Sequence, residues 1–409
     1  MKLGLIGCPL GHSWSPEIHG YLKHVDYKLW PLEADELSGF FEARDFDGIN
    51  VTIPYKTEVI RFLDEIDPDA ENIQAVNTVV NRDGKLKGYN TDVMGLMWMI
   101  ENHHINEAGG TAAILGTGGV SKAAAEACRL SGWKYYLTSR VKKPGCIDYD
   151  ELYAMSDEIS MIINATPVGM FPDEDVMPVD PGRFENLTDV VDIVANPVRT
   201  RLTFEAQLRG LNAYGGLEML VAQAFKADEL FYGEKMDAGL VGGCMSDINS
   251  RRQNIVLIGM PSSGKTTAGK LVADRLGMGF LDMDEEIVKR IGMPIADYFA
   301  RYGEEAFRDV ESEVCRYARS LEKTVISTGG GVIKRKENMV CLAHKGTIIW
   351  LDRDPDKLIP TDDRPLSSRK DDIYRLYEER KDLYKKYCDA RISNNGEPGE
   401  AVNAIVSAL

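Results

Sequence analysis

The chain has no apolar stretch approaching membrane-spanning length, no Cys-x-x-Cys pair, no internal repeat and no low-complexity tract. The first absence argues against a membrane protein, and the last two argue against a solenoid or a disordered tail. The seven cysteines, at positions 8, 128, 146, 244, 315, 341 and 388, are scattered. They read as reduced packing thiols of a cytosolic protein rather than a disulfide framework. Positive charge is also scarce: 48 Lys and Arg against 64 Asp and Glu leave a net charge of −16. That balance argues against nucleic acid as a partner, and any anion must meet a local gathering of cations. The opening residues Met1–Gly7 read as a strand rather than a signal peptide.

What is present is a soluble globular composition, 44% hydrophobic and 27% charged, over 409 residues. That length predicts two or three domains. Short apolar runs alternate with helical spacing up to residue 100, and a second α/β pattern starts near 110. Leu217–Tyr232 has helical spacing, with Gly233 as its stop. The Gly-rich, weakly periodic piece Ala238–Asp247 reads as a flexible tether. We therefore expect an α/β fold with units at 1–100 (rejoined by the helix 217–235), 101–216 and 252–409, and a linker at 236–251.

The most specific signal is Gly259-Met260-Pro261-Ser262-Ser263-Gly264-Lys265-Thr266-Thr267. It follows the apolar run Asn254–Ile258 and precedes helical spacing to Leu276. Strand, Gly-x-x-x-x-Gly-Lys-Thr, helix is the context of a P-loop. Its backbone N–H groups would wrap a β-phosphate, Lys265 would reach the β- and γ-phosphates, and Thr266 would hold Mg²⁺. A second strand–glycine–helix turn, Leu115-Gly116-Thr117-Gly118-Gly119-Val120-Ser121, is of the dinucleotide kind. Two phosphate loops of different types predict two enzymes on one chain.

In the first half four strings are rich in hydroxyls and amides: Gly7–Pro16, with Ser13 and Ser15; Asn50–Lys56, with Thr52; Ala75–Thr78, with Asn77, continued by Asn90-Thr91-Asp92; and Gly215–Gln223, with Met219. Together they suit a pocket for a polyhydroxylated small molecule. Lys56 and Asp92 supply an ammonium–carboxylate pair able to give a proton to a forming alkoxide. Taken singly, each string has a plain alternative: a solvated lysine, or serines that cap a helix. The strand Trp133–Thr138 ends in Ser139-Arg140, with Lys142 and Lys143 beyond it. Hydroxyl and basic groups there favour the 2′-phosphate of NADP over NAD.

In the second half Asp282 and Asp284 sit at a strand end, Arg308 follows Phe307, and Ser327–Gly331 forms a second glycine cluster. Arg364 lies in a short polar stretch suited to a lid, and Arg380 in a charged run. Without the P-loop, Asp282 and Asp284 would read as a solvated strand end and Arg380 as an exposed helix face.

These strings closely resemble the shikimate dehydrogenase family over about residues 2–235, including Asn164–Met170, and the shikimate kinase family over about 253–395. The resemblance implies a substrate-binding α/β domain, a Rossmann-type NADP domain and a P-loop kinase domain like the nucleoside monophosphate kinases. Ser13, Ser15, Thr52, Asn77 and Gln223 would contact shikimate, with Lys56 and Asp92 as the catalytic pair and Asp92 also touching substrate. Gly116, Gly118 and Gly119 would carry the cofactor diphosphate, with Ser139, Arg140 and Met219 completing the NADP site. In the kinase, Gly259, Ser262, Ser263, Gly264, Lys265, Thr266, Thr267 and Arg364 would bind ATP. Thr266 and Asp282 would hold Mg²⁺. Asp284, Arg308, Gly330, Gly331 and Arg380 would take shikimate, with Asp284 and Lys265 catalytic. The expected partners are thus small molecules, 3-dehydroshikimate and shikimate. The chain departs from the family patterns at Ser121 (a glycine), Ala195 (a tyrosine), Ser262 (often a glycine) and the short lid Lys357–Asp363, where Lys357 stands in for an arginine. An NAD-linked quinate/shikimate dehydrogenase and a non-enzymatic metabolite sensor are the rival readings.

Overall fold

The computed structural model describes residues 1–11, 13–105, 109–359 and 370–409. The chain divides into two compact units, Met1–Asp247 and Ile248–Leu409.

The first unit holds two six-stranded sheets. One is built from β1 (Leu3–Gly7), β2 (Tyr27–Pro31), β3 (Gly48–Val51), β4 (Glu65–Ile66), β5 (Thr78–Arg82) and β6 (Lys85–Tyr89), in the order β2-β1-β3-β5-β6-β4. β1 pairs parallel with β2 and β3, while β5 is antiparallel to both its neighbours. The other comprises β7 (Thr111–Leu115), β8 (Lys134–Thr138), β9 (Cys146–Ile147), β10 (Met161–Asn164), β11 (Asp189–Asp192) and β12 (Asn212–Tyr214). All its pairs are parallel and its order is β12-β11-β10-β7-β8-β9. The chain runs outward from β7 through β9, then returns to the other side of β7. The crevice beyond β7 and β10 is therefore the topological switch point, where open parallel sheets bind ligands.

Two helices bracket the sites of this unit. Helix Thr91–Asn102 is started by Asn90, whose side chain accepts the Val93 N–H. Helix Gly216–Tyr232 ends at Gly233 in the left-handed conformation, as its sequence predicts. The two pack closely because residue 95 is glycine: a Cβ there would stand 2.9 Å from the Gln223 nitrogen. That approach is what carries Gln223 to the N-terminus of helix Thr91–Asn102.

The expected tether is not one. Residues Gly239–Arg252 form a helix, in which Val241, Cys244 and Ile248 are buried. These positions, three and four apart, make one narrow apolar face. Gly242 and Gly243 hide it from a count of helix formers, and Gly243 is used for close packing, since a Cβ would lie 2.6 Å from the Tyr21 hydroxyl. Tertiary burial overrides weak helix propensity here.

The second unit has one all-parallel sheet of β13 (Asn254–Ile258), β14 (Gly279–Asp282), β15 (Thr324–Ser327), β16 (Gly346–Asp352) and β17 (Ala390–Ser393), ordered β14-β15-β13-β16-β17. β13 and β15 are buried along their whole length, as a sheet covered on both faces requires. β13 feeds the P-loop, and helix Lys265–Leu276 begins two residues earlier than the apolar periodicity places it.

Candidate active sites

In the first unit, Lys56 Nζ donates to Asp92 Oδ2 at 2.6 Å, and both side chains are mostly buried. Lys56 sits in the turn after β3, and its carbonyl accepts the Val76 N–H. Asp92 stands in the first turn of helix Thr91–Asn102, where the helix dipole favours the carboxylate. Asn77 Oδ1 accepts the Thr91 N–H at 2.7 Å and the Thr91 and Thr78 hydroxyls at 3.1 Å. The Thr91 hydroxyl also lies 3.3 Å from Gln223 Oε1, sharing its one proton between the two amide oxygens. Thr52 is tied to the same floor through its N–H to the Ile6 carbonyl. The Lys56–Asp92 pair and the Asn77–Thr91–Gln223 set are thus placed side by side by the adjacent residues Thr91 and Asp92. Ser13 Oγ accepts the Ser15 N–H at 3.2 Å, so these serines turn the chain into helix Ser15–Lys23. That helix packs on Gly216–Tyr232, which buries the pair His19 Nδ1–Asp228 Oδ1 at 2.8 Å; no hydrogen bond ties Ser13 or Ser15 to Lys56 or Asp92 among the described residues.

The dinucleotide turn lies beyond β7. Gly116 has φ +110, and a Cβ on it would stand 3.0 Å from both the Ala165 carbonyl and Ser121 Oγ. Gly118 starts helix Gly119–Leu130, and space is open at both Gly118 and Gly119, as close approach of a diphosphate requires. Ser121 replaces the third glycine, and its buried hydroxyl meets no partner among the described residues. Ser139 is buried and accepts the Val141 N–H, Arg140 is exposed, and Lys143 Nζ reaches back to Thr117 Oγ1 at 2.8 Å. Met219 is buried among core residues that also include Ile114 and Ile163. The residues present suit a dinucleotide with a phosphorylated ribose.

In the second unit a cavity of about 910 Å³ is lined by Lys265, Thr266, Asp284, Arg308, Gly331 and Arg380; Ser262, Gly264, Thr267 and Gly330 also border it. Lys265 Nζ donates to the carbonyls of Gly259 at 3.0 Å and Met260 at 2.8 Å. Thr266 Oγ1 donates to Asp282 Oδ2 at 2.7 Å. Asp282 also caps helix Met283–Ile291, accepting the Asp284 and Glu285 N–H groups. A hydroxyl and a carboxylate beside a phosphate loop are the sparse protein ligands that Mg²⁺ takes there. Ser263, at the turn's base, lends its carbonyl to Asn394 Nδ2 at 2.7 Å. Arg364 lies outside the described residues, as does most of the expected lid.

Arg380 is not an exposed helix cation. It is buried, donating to the Gly330 carbonyl at 3.0 Å beside the Tyr384 hydroxyl at 2.6 Å. Burial pushes the Tyr384 phenol up to about 12, so it stays a donor. The glycine cluster is explained by crowding: a Cβ on Gly331 would meet Arg308 Nη2 at 2.3 Å. Glu311 also lines this cavity, although no sequence motif marks it. Its Oε2 accepts Arg308 Nη1 at 2.7 Å, and burial pushes its carboxyl up against the pull of Arg308. Its spacing three residues after Arg308 on a helix was the available signal.

Fold and sites define a two-part nucleotide enzyme: a dinucleotide oxidoreductase followed by a P-loop phosphotransferase. Comparison with known proteins makes this specific. The model of the shikimate dehydrogenase substrate binding domain matches residues 5–79, and the shikimate kinase model matches 261–409. A Clostridium beijerinckii shikimate dehydrogenase (NADP(+)) is 39% identical over 259 residues, covering 59% of this chain and 96% of that protein. The Peptoclostridium difficile shikimate dehydrogenase 1 structure superposes with a TM-score of 0.53 at 36% identity, over 61% of this chain and 98% of that one. The Thermus thermophilus enzyme, solved with NADP(H) and shikimate, gives 0.55 at 29% identity, over 60% and 99%. The chain belongs to the shikimate dehydrogenase family in its first unit and carries a shikimate kinase domain in its second.

Proposed function

We propose that the chain catalyses two steps in sequence: NADPH-dependent reduction of 3-dehydroshikimate, and ATP-dependent phosphorylation of the shikimate so formed. The observation that carries this is one polypeptide holding both the Lys56–Asp92 pair and the cavity that gathers Lys265, Asp284, Arg308 and Arg380. NADPH would supply the hydride, and ATP with Mg²⁺ the phosphoryl group. In the first site Lys56 gives its proton to the forming alkoxide, while Asp92 holds the amine aimed. Because Asn77 Oδ1 is engaged by Thr91 and Thr78, its amide NH₂ is left for a substrate hydroxyl. Thr52, Gln223, Ser13 and Ser15 complete that shell. Gly116, Gly118, Gly119, Ser139, Arg140 and Met219 form the cofactor side.

In the second site Arg308 and Arg380 meet the substrate carboxylate, and the bare backbone of Gly330 and Gly331 lets the ring approach. Asp284 orients the 3-hydroxyl and accepts its proton, and Lys265 stabilises the transferring charge. Thr266 and Asp282 would hold the metal. Buffering of charge by Mg²⁺ and a cytosolic location both belong to this proposal. Purified protein given 3-dehydroshikimate, NADPH and ATP–Mg should consume NADPH and form ADP in equal amounts. Omitting 3-dehydroshikimate should stop both, and adding shikimate should restore ADP formation alone. NADPH loss with no ADP formed from either substrate would refute the two-step reading.

A further inference from the structure

Beyond the catalytic pair and the glycine turn, the first unit contains a buried side-chain chain that ends on the dinucleotide crevice. It begins at Thr200, whose hydroxyl donates to Asp192 Oδ2 at 2.6 Å. Asp192 Oδ1 accepts Asn164 Nδ2 at 2.9 Å and the Val194 N–H at 3.1 Å. Asn164 Oδ1 then accepts both the hydroxyl of Thr166, at 2.6 Å, and its N–H, at 3.1 Å. Asn164 Nδ2 also reaches the Val168 carbonyl, at 3.2 Å, and Thr166 Oγ1 accepts the Val168 N–H at the same distance. Asp192, Asn164 and Thr200 are all buried.

Asp192 and Asn164 are the last residues of the neighbouring strands β11 and β10, paired in register. The loop they hold, Ala165–Val168, faces the glycine turn. Ala165 O and Thr166 Cγ2 lie 3.0 and 3.1 Å from where a Cβ of Gly116 would stand. The loop is thus the wall opposite the glycine turn across the switch point. The Ala165 N–H still reaches the Leu115 carbonyl of β7 at 3.0 Å, but beyond it the loop takes its shape from side chains, and here one carboxylate organises them.

We propose that Asp192 is a positioning residue for dinucleotide binding: through Asn164 it fixes the Ala165–Val168 loop as the second wall of the NADPH site. This rests on the assignment of NADPH to that crevice. Asp192 touches neither substrate nor cofactor, so its loss should raise the KM and Kd for NADPH with little change in the KM for 3-dehydroshikimate.

The geometry also names its own conservative replacement. Asp192 Oδ1 accepts two donors, while Oδ2 meets only a hydroxyl, which can reverse and accept. An asparagine with its oxygen at the Oδ1 position keeps all three contacts.

The test uses the intact chain and reads NADPH Kd by fluorescence titration, both KM values, and kinase turnover. Asp192→Ala should weaken NADPH binding at least about tenfold, the loss of a charge-assisted buried contact. Asp192→Asn should stay within about threefold of wild type, the scatter expected of an isosteric exchange. Thr200→Val, which spares the loop, should fall between them. A wild-type KM for 3-dehydroshikimate, with a retained cooperative thermal transition of the first unit, shows that this unit folds in each variant; kinase turnover, unchanged in all, shows that the effect stays within the first unit. An Asp192→Ala variant with wild-type NADPH affinity would overturn the proposal, as would equal rises in both KM values. Failure of the wild-type chain itself to bind NADPH would instead refute the cofactor assignment.

Discussion

Lys56 Nζ and Asp92 Oδ2 are 2.6 Å apart, yet they come from a turn after β3 and from the first turn of a helix 36 residues on. The pair is assembled by backbone pairing, because the Lys56 carbonyl takes the Val76 N–H and the Asn77 carbonyl takes that of Val51. A lysine so held is a proton donor with a fixed direction. Lys56→Ala should lower NADPH-dependent reduction by several orders of magnitude in kcat, the scale of general acid catalysis plus lost electrostatic stabilisation. Phosphorylation of added shikimate should not change. Reduction near the wild-type rate would remove Lys56 from the mechanism.

Cofactor choice follows from the end of β8. Ser139 is buried with its hydroxyl turned to the Val141 N–H, Arg140 beside it is exposed, and Lys143 reaches Thr117 of the glycine turn. No acidic side chain occupies positions 139–143. kcat/KM with NADPH should exceed that with NADH by at least about tenfold, one charge-assisted phosphate contact. Arg140→Ala should narrow the ratio by raising the KM for NADPH only. Equal kcat/KM for the two cofactors would favour an NAD-linked enzyme.

Lys265 Nζ lies on the Gly259 and Met260 carbonyls, which places its ammonium inside the loop. Lys265→Ala should abolish ATP-dependent phosphorylation while the reductase keeps its wild-type kcat. Loss of both activities would mean that the two units depend on one another.

The parts that sequence made legible are those whose physics is local. The P-loop declares itself because strand, glycine spacing and helix are contiguous, and Asn254–Ile258 is β13. The Lys56–Asp92 pair was read through a resemblance, since neither residue has a local reason to meet the other. Burial was the blind spot. Arg380 lies in a run of charges that reads as solvated, and only the return of its helix to the Gly330 carbonyl buries it. Asp192 takes its meaning from a partner 28 residues away that the linear text does not pair with it, whereas helix spacing does pair Glu311 with Arg308 but does not tell that the pair is buried. The helix Gly239–Arg252 was missed for the converse reason, because glycines suited to close packing look like a tether.

That helix changes where the chain can be cut. Val241 and Cys244 are buried within the first unit's span, and Gly243 is packed near Tyr21. A chain ending at residue 252 should stay soluble and keep NADPH-dependent reduction. One ending at 238 removes two buried side chains and should lose roughly 2–4 kcal/mol of stability by apolar burial alone. Chemical denaturation of the two fragments checks this. Equal midpoints would show that the helix adds nothing to the first unit.

Asp192 gives the final prediction, a pH dependence with a definite sign. Burial pushes its carboxyl up to about 6 from the ordinary 3.8, although Thr200, Val194 and Asn164 all donate to it. Between these values the folded state holds a proton that the unfolded chain has released. The stability from this group is therefore complete below about pH 4 and is lost as pH rises through about 6. The raised pKa corresponds to a loss of about 3 kcal/mol. Asp192→Asn keeps the contacts and cannot ionise, so it should be free of that loss. Thermal unfolding of the intact chain, followed at the transition that NADPH raises, should show the variant gaining on wild type from pH 4 to about pH 6 and levelling off by pH 7. A difference in Tm that stays constant across that range would mean that Asp192 is ionised throughout in the folded state, its three donors outweighing its burial.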